Sequence, residues 1–282
     1  MPLYHDCDSD ELRSYCRSAI ESLEMWTRRL IDDLLREKYG PHYLEAKEGN
    51  TPIIKSAVKE RAQKILSTKQ SSSLREVDGL FLEDILYILT KDDLYYPLFK
   101  PVLDYVYPNN KQAIRMFLER IIPIRNDLSH ANPISVRQAE QVICYSHDFV
   151  EGIKEYYKMK GKEKMWNVPT IIKITDSLGN EHDKRHNKVD HIFYVGDSYT
   201  LTAEIDNSFS PDEYTIRWLN MLGQEYSGTT NLHQISLTFT NRHVGEHLSI
   251  RCLVSSKKDW HRHNFCDDEK SVNMTVLPAE SK

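Results

Sequence analysis

The spacing of apolar residues changes once along this chain, near residue 160, and that change constrains the fold more than any single motif. Before it, apolar side chains recur every three or four positions; after it, they alternate. The first pattern buries a single face only as a helix, and the second only as a strand. The chain therefore reads as a multidomain α and β protein, with an N-terminal all-α bundle over residues 1–160, a linker over 161–169 and a C-terminal all-β domain over 170–282.

In the first part, Leu12, Cys16, Ala19, Leu23, Trp26, Leu30 and Leu34 form one apolar stripe on a long helix. Asp8 or Ser9 is placed to cap its start, and Tyr39-Gly40-Pro41 to end it. Weaker helical patterns cover Ile53–Leu66, Leu80–Thr90 and Lys111–His130, with a polar loop, STKQSSS, at 67–73. A last helix runs from Val136 to Lys158, and Ser135 with Gln138 has the spacing of a capping box.

In the second part, Tyr199, Leu201, Ala203 and Ile205 share one face. So do Tyr214, Ile216 and Trp218, then Ile235, Leu237 and Phe239, then Leu248 to Val254, and finally Val272 to Val276. Short alternating segments separated by turn residues predict an antiparallel sandwich of about 90 to 110 residues. Trp218 on the third strand and Cys252 on a late strand resemble the immunoglobulin-like arrangement, with Ala203 where antibody domains carry the second cysteine.

Composition narrows the function classes. No run approaches the roughly 18 apolar residues of a membrane span, and the first residues do not read as a secretory signal. The five cysteines lack CxxC spacing, which suits a reducing, cytoplasmic setting. A formal net charge of −5 speaks against a broad basic surface for nucleic acid but leaves room for a local phosphate site. GxxxxGK[ST], GxGxxG, GxSxG and HExxH are all missing, so nucleotide-hydrolase, dinucleotide, serine-hydrolase and zincin readings have no support.

The chemistry concentrates in IPIRNDLSHANPIS, residues 122–135. Asn126 and His130 are four apart and share a helix face, and Arg125 is long enough to reach toward it. Asn132-Pro133 should stop the helix, with a kink or restart at Pro123. The negative end of the helix dipole then lies beside a side chain able to give or shuttle a proton near neutral pH. Arg125 supplies a planar cation matched to phosphate oxygens, and Asn126 a group that orients or binds phosphate. Together they are sufficient for metal-free RNA cleavage, though a capped or salt-bridged helix end has the same composition.

Ile124-Arg125-Asn126-Asp127-Leu128-Ser129-His130 resembles the Arg-Asn-x-Leu-x-His form of the HEPN superfamily signature. Leu23-Glu24, Arg28 to Ile31 and Leu34 to Gly40 look like the long first helix of its toxin- and defence-associated branches, so the resemblance covers Asp8 to Lys160. It implies a bundle that forms a homodimer, bringing two such segments into one composite ribonuclease site that needs no metal or other cofactor. Arg125, Asn126 and His130 are the matching catalytic positions, and RNA the expected substrate. Other members are non-catalytic dimerisation or adaptor modules, which is the alternative reading. The strand domain is then a recognition or regulatory module for a protein partner or trigger.

Other groups have plainer readings. Glu24 and Arg28, at i, i+4, suit either a surface ion pair or the wall of the site. His182, His186 and His191, and His261, His263 and Cys266 in WHRHNFCDD, are weak zinc candidates without an established spacing and read as exposed loops, the second also as a recognition loop. Cys144 reads as core, as do Trp218 and Tyr199.

Overall fold

A computed structural model describes residues 9–68, 75–183, 185–226, 228 and 230–279. The chain contains both helices and sheets, in two compact units that divide between Lys160 and Gly161. Among the described residues no helix is long and apolar enough to cross a membrane.

The first unit is helical apart from a two-residue ladder at Lys47–Glu48 and Thr51–Pro52. Helix α1 (Ser9–Tyr39) buries the whole predicted stripe from Leu12 to Leu34. Ile20, Ile31 and Leu35 widen that stripe, because α1 has neighbours on more than one side. Asp10 and Glu11 in its first turn and Arg36 and Lys38 in its last complement the helix dipole. Gly40 ends it at φ +83°, its N–H donating to Arg36 O at 2.9 Å. The cap at Asp8 and most of the predicted loop at 67–73 lie outside the described residues. Next come α2 (Ser56–Thr68), α3 (Leu82–Thr90), α4 (Lys111–Ser129) and α5 (Val136–Met159).

Helix α5 starts as its sequence predicts: Ser135 Oγ accepts from Gln138 N–H, and Gln138 Oε1 accepts from Ser135 N–H at 2.8 Å. It packs along α1, with the Trp26 and Tyr157 rings 6.5 Å apart. The segment 92–103 is also helical, as two short turns joined by a π-type turn at Tyr95–Phe99. Pro97 and Pro101 hide it from a sequence reading, yet Pro101 stands in the first turn of its short helix, where the missing N–H has no partner to lose. Cys144 corrects its predicted core position. Helix α5 buries Val142, Ser146 and Phe149, and Cys144 projects from the other side, exposed.

The second unit holds two four-stranded sheets. Its strands are β1 (Ile171–Asp176), β2 (Glu181–His182), β3 (His186–Tyr194), β4 (Ser198–Ile205), β5 (Tyr214–Leu219), β6 (Gln234–Thr238), β7 (Gly245–Ser256) and β8 (Asp268–Leu277). One sheet has the order β2-β1-β4-β6 and the other β3-β8-β7-β5. Phe193 of β3 meets Tyr199 of β4 at 4.7 Å and Phe239 at 5.0 Å between ring centroids, so the sheets share a core. Trp218 is fully buried opposite Cys252 on the neighbouring strand, its indole N–H donating to Leu232 O. Antiparallel pairing, predicted throughout, holds except for β3 with β8. These run parallel from His186 opposite Ser271 to Tyr194 opposite Leu277. Alternation encodes which face is buried and carries nothing about strand direction. Strand β3 shows almost no alternation, since only Val189 and Phe193 are buried along this edge. The segment 161–169, read as a linker, carries the one-turn helix Glu163–Trp166 and belongs to this unit, with Lys258 pairing to Glu163 at 3.0 Å.

The first histidine segment corrects its loop reading. His182 is buried on β2, its Nε2 3.0 Å from Asp176 Oδ2, which also accepts from Tyr199 Oη at 2.7 Å and Asn180 Nδ2 at 2.9 Å. Burial alone would raise the Asp176 pKa, but these bonds outweigh it and hold the carboxyl at about 2, against an ordinary 3.8. A folded-state pKa below the unfolded one adds stability above pH 4, which is lost as pH falls toward 2. The shift is equivalent to about 2 kcal/mol. Asp176→Asn should therefore lower the urea midpoint at pH 7 and flatten the loss of stability between pH 4 and 2; an unchanged acid limb would refute this.

Candidate active site

Arg125, Asn126 and His130 come together at the C-terminal end of α4, which continues through Pro123 without a restart. Ser129 is its last helical residue and His130 its C-cap. Ala131 then turns to φ +57°, its N–H donating to Leu128 O at 3.3 Å, while Asn132 N–H donates to Asp127 O at 2.8 Å. This pair of bonds is a Schellman motif, and alanine holds the left-handed position at a cost of about 1 kcal/mol where glycine would be free of strain. Arginines of α1 reinforce it. Arg17 donates to Leu128 O at 3.1 Å, and Arg13 to Asn132 O. Two cations thus meet carbonyls at the negative end of α4.

Arg125 lines an open cleft of about 330 Å³ between α1 and α4, together with Arg17, Ile20, Glu21, Glu24, Leu128 and Ser129. Glu24 stands between two guanidinium groups, with Oε2 2.6 Å from Arg28 and Oε1 3.6 Å from Arg125. Arg28 also donates to Leu80 O at 2.9 Å, tying α1 to the chain ahead of α3. The Glu24–Arg28 pair is a half-buried i, i+4 ion pair, and its carboxylate lines the cleft. The cleft lining sets Arg17 and Arg125 against Glu21 and Glu24, with Arg28 beside Glu24, and the planar guanidinium of Arg125 is matched to phosphate oxygens. The Arg125 side chain is 27% exposed, so a ligand can reach it.

Asn126 and His130 do not line that cleft. Asn126 Oδ1 accepts from Arg125 Nη1 at 3.1 Å, which leaves its amide N–H₂ as the outward donor. His130 is exposed, and among the described residues its ring has no hydrogen-bond or ion-pair partner. The three residues are adjacent on one rigid helix end, but Arg125 faces a cleft and His130 faces solvent. Arg13, Arg17 and Glu21 were not among the predicted site residues. Their signal lies in the polar stripe Arg17, Glu21, Glu24, Arg28, which runs at helical spacing beside the apolar stripe of α1.

The second histidine segment has no metal geometry. His261 Nδ1 lies 3.3 Å from the buried Asp267, His263 is exposed, and burial pushes the Cys266 thiol up to about 11. Among the described residues, no group of three His, Cys, Asp or Glu side chains is placed to hold a metal ion. Asp267 also accepts from Ser256 N–H and Arg262 N–H, which makes it the internal staple of this loop. Comparison with protein-family models and with curated proteins gives no match for the chain.

Proposed function

We propose that the protein is a metal-independent endoribonuclease of the HEPN type, active as a homodimer in which two copies of the 125–130 segment form a composite site. The observation that carries this reading is the set Arg125-Asn126-x3-His130 held at one rigid helix end. There Arg125 lies in an open cleft, and the His130 ring is exposed and, among the described residues, free of partners. In the reaction the RNA 2′-oxygen attacks the adjacent phosphorus as its proton is taken by a base. The P–O5′ bond breaks and the 5′-oxygen is protonated, leaving a 2′,3′-cyclic phosphate and a 5′-hydroxyl. His130 is assigned the proton transfer, Arg125 the charge of the phosphorane, and Asn126 the orientation of the phosphate. The exposure of His130 fits a histidine that completes the cleft of a second copy.

The second unit is read as an immunoglobulin-like sandwich serving recognition or regulation, a reading supported by its two open sheets and by Trp218 buried against the Cys252 strand. Restraint of a toxin or anti-phage effector until triggered is the matching biological role. Incubation with total RNA in excess EDTA should give products ending in 2′,3′-cyclic phosphate, from a species that light scattering sizes as a dimer. Cleavage that EDTA abolishes, or a strict monomer, would overturn the composite metal-free site. In the alternative, a non-catalytic adaptor, Glu24 permanently occupies Arg125. The contact between them favours that alternative, and it predicts no cleavage under any condition.

A further inference from the structure

The Arg125 cleft does not end at Arg125. A second cleft of about 300 Å³, lined by Arg61, Phe81, Glu83 and Arg125, shares that arginine. A third, of about 330 Å³, shares Glu83 with the second and reaches Lys55, Tyr87, Lys91 and Arg115. The second thus joins the first, which touches α4 at Arg125, Leu128 and Ser129, to the third, which touches it at Arg115 and Glu119; Arg115 to Ser129 is about 21 Å at 1.5 Å per residue. That length is about six nucleotides at the roughly 3.4 Å stacked spacing of one strand.

The lining has the character of a nucleic-acid track. Arg17, Lys55, Arg61, Lys91, Arg115 and Arg125 run the length of the three clefts, set among four glutamates, with Asp84 and Asp93 paired to Arg61 and Lys91. Two aromatic rings are paired with cations along it. The Arg61 guanidinium lies 5.8 Å from the centre of the Phe81 ring, and Lys55 Nζ 4.7 Å from that of Tyr87. Arg61 is held there by two hydrogen bonds to the buried Asp84, and Phe81 is 40% exposed. The Tyr87 hydroxyl is buried without a hydrogen-bond partner beside the third cleft. Flat, cation-backed rings in a groove bind unpaired bases by stacking, and a duplex, whose bases face inward, cannot use them.

We propose that this groove is the track of a single RNA strand, with Phe81 as a base-stacking platform and Lys55 with Tyr87 as a second subsite remote from Arg125. The choice of RNA rests on the ribonuclease reading. The test is fluorescence anisotropy of the full chain with a labelled 2′-O-methyl oligonucleotide about twelve nucleotides long. The probe cannot undergo 2′-oxygen attack, so binding is read apart from cleavage. The single strand should bind at least about tenfold more tightly than its blunt duplex. Phe81→Ala should weaken binding about tenfold, with Phe81→Trp restoring it and so separating stacking from misfolding. Lys55→Glu should weaken binding and reduce the salt slope by about one. Equal affinity for the duplex, or unchanged affinity in both Phe81→Ala and Lys55→Glu, overturns the track. Cleavage of RNA without binding along these residues overturns the track alone, whereas binding without cleavage supports the track and overturns the ribonuclease reading.

Discussion

His130→Ala should lower the proposed RNA cleavage about 10²- to 10⁴-fold, the usual contribution of a positioned acid or base. Its stability should stay within about 0.5 kcal/mol of wild type, because the replaced side chain is exposed and has no partner among the described residues. The Schellman motif that sets the helix end is made of backbone bonds at Ala131 and Asn132 and survives the substitution. Arg125→Ala removes the cation and should cost about 10²- to 10³-fold. Glu24 retains Arg28, 2.6 Å away, as an ion-pair partner, so its carboxylate is not left uncompensated and the melting temperature should change little. Arg125→Lys should rescue only in part, since a point charge does not reproduce the planar fork. Rates from single-turnover gel assays, read beside melting curves, decide the matter. His130→Ala cleaving as well as wild type would end the assignment.

Trp26→Ala should destabilise the helical unit by about 3 to 5 kcal/mol, the range for emptying a large buried aromatic site. Trp26 is fully buried at the middle of the α1 stripe, with Tyr157 of α5 on one side and the Arg29 guanidinium 4.5 Å from its ring centre. Folded domains hold about 5 to 15 kcal/mol in all, so this one change takes a large part of the margin. In thermal unfolding followed by helical circular dichroism, the transition should fall by about 10 °C. Glu24 and Arg28 flank Trp26 two residues away on the same helix, so collapse around the cavity should also disturb the Arg125 cleft. Trp26→Phe keeps most of the volume and should lose much less. A shift of only 1 or 2 °C for the alanine variant would show that α1 is not the central element of this unit.

The sequence carries much of the helical part, for a local reason. The α1 stripe, the Ser135–Gln138 box and the stop before Pro133 are each set by residues within a turn or two of one another. Strands β4 and β5 were legible for the same reason, alternating between buried and half-exposed residues, and β7 and β8 alternate over part of their length beside the buried runs 252–256 and 270–272. Segments with mixed signals were lost. Prolines masked the turns at 92–103, and the edge strand β3 buries too few side chains to show a period.

For the site, periodicity and the 122–135 motif by themselves determined that Arg125, Asn126 and His130 belong to one helix end, since residues within six positions on a helix are neighbours wherever the helix goes. Only the tertiary structure decided that Glu24 shares its carboxylate between Arg28 and Arg125, and that Arg13 and Arg17 close the end of α4. It alone placed Arg125 between two clefts with the His130 ring outside them. These contacts join α1 to α4 across most of the helical unit's sequence. They arise because burial of the α1 stripe fixes the rotation of that helix, and with it where its polar edge points.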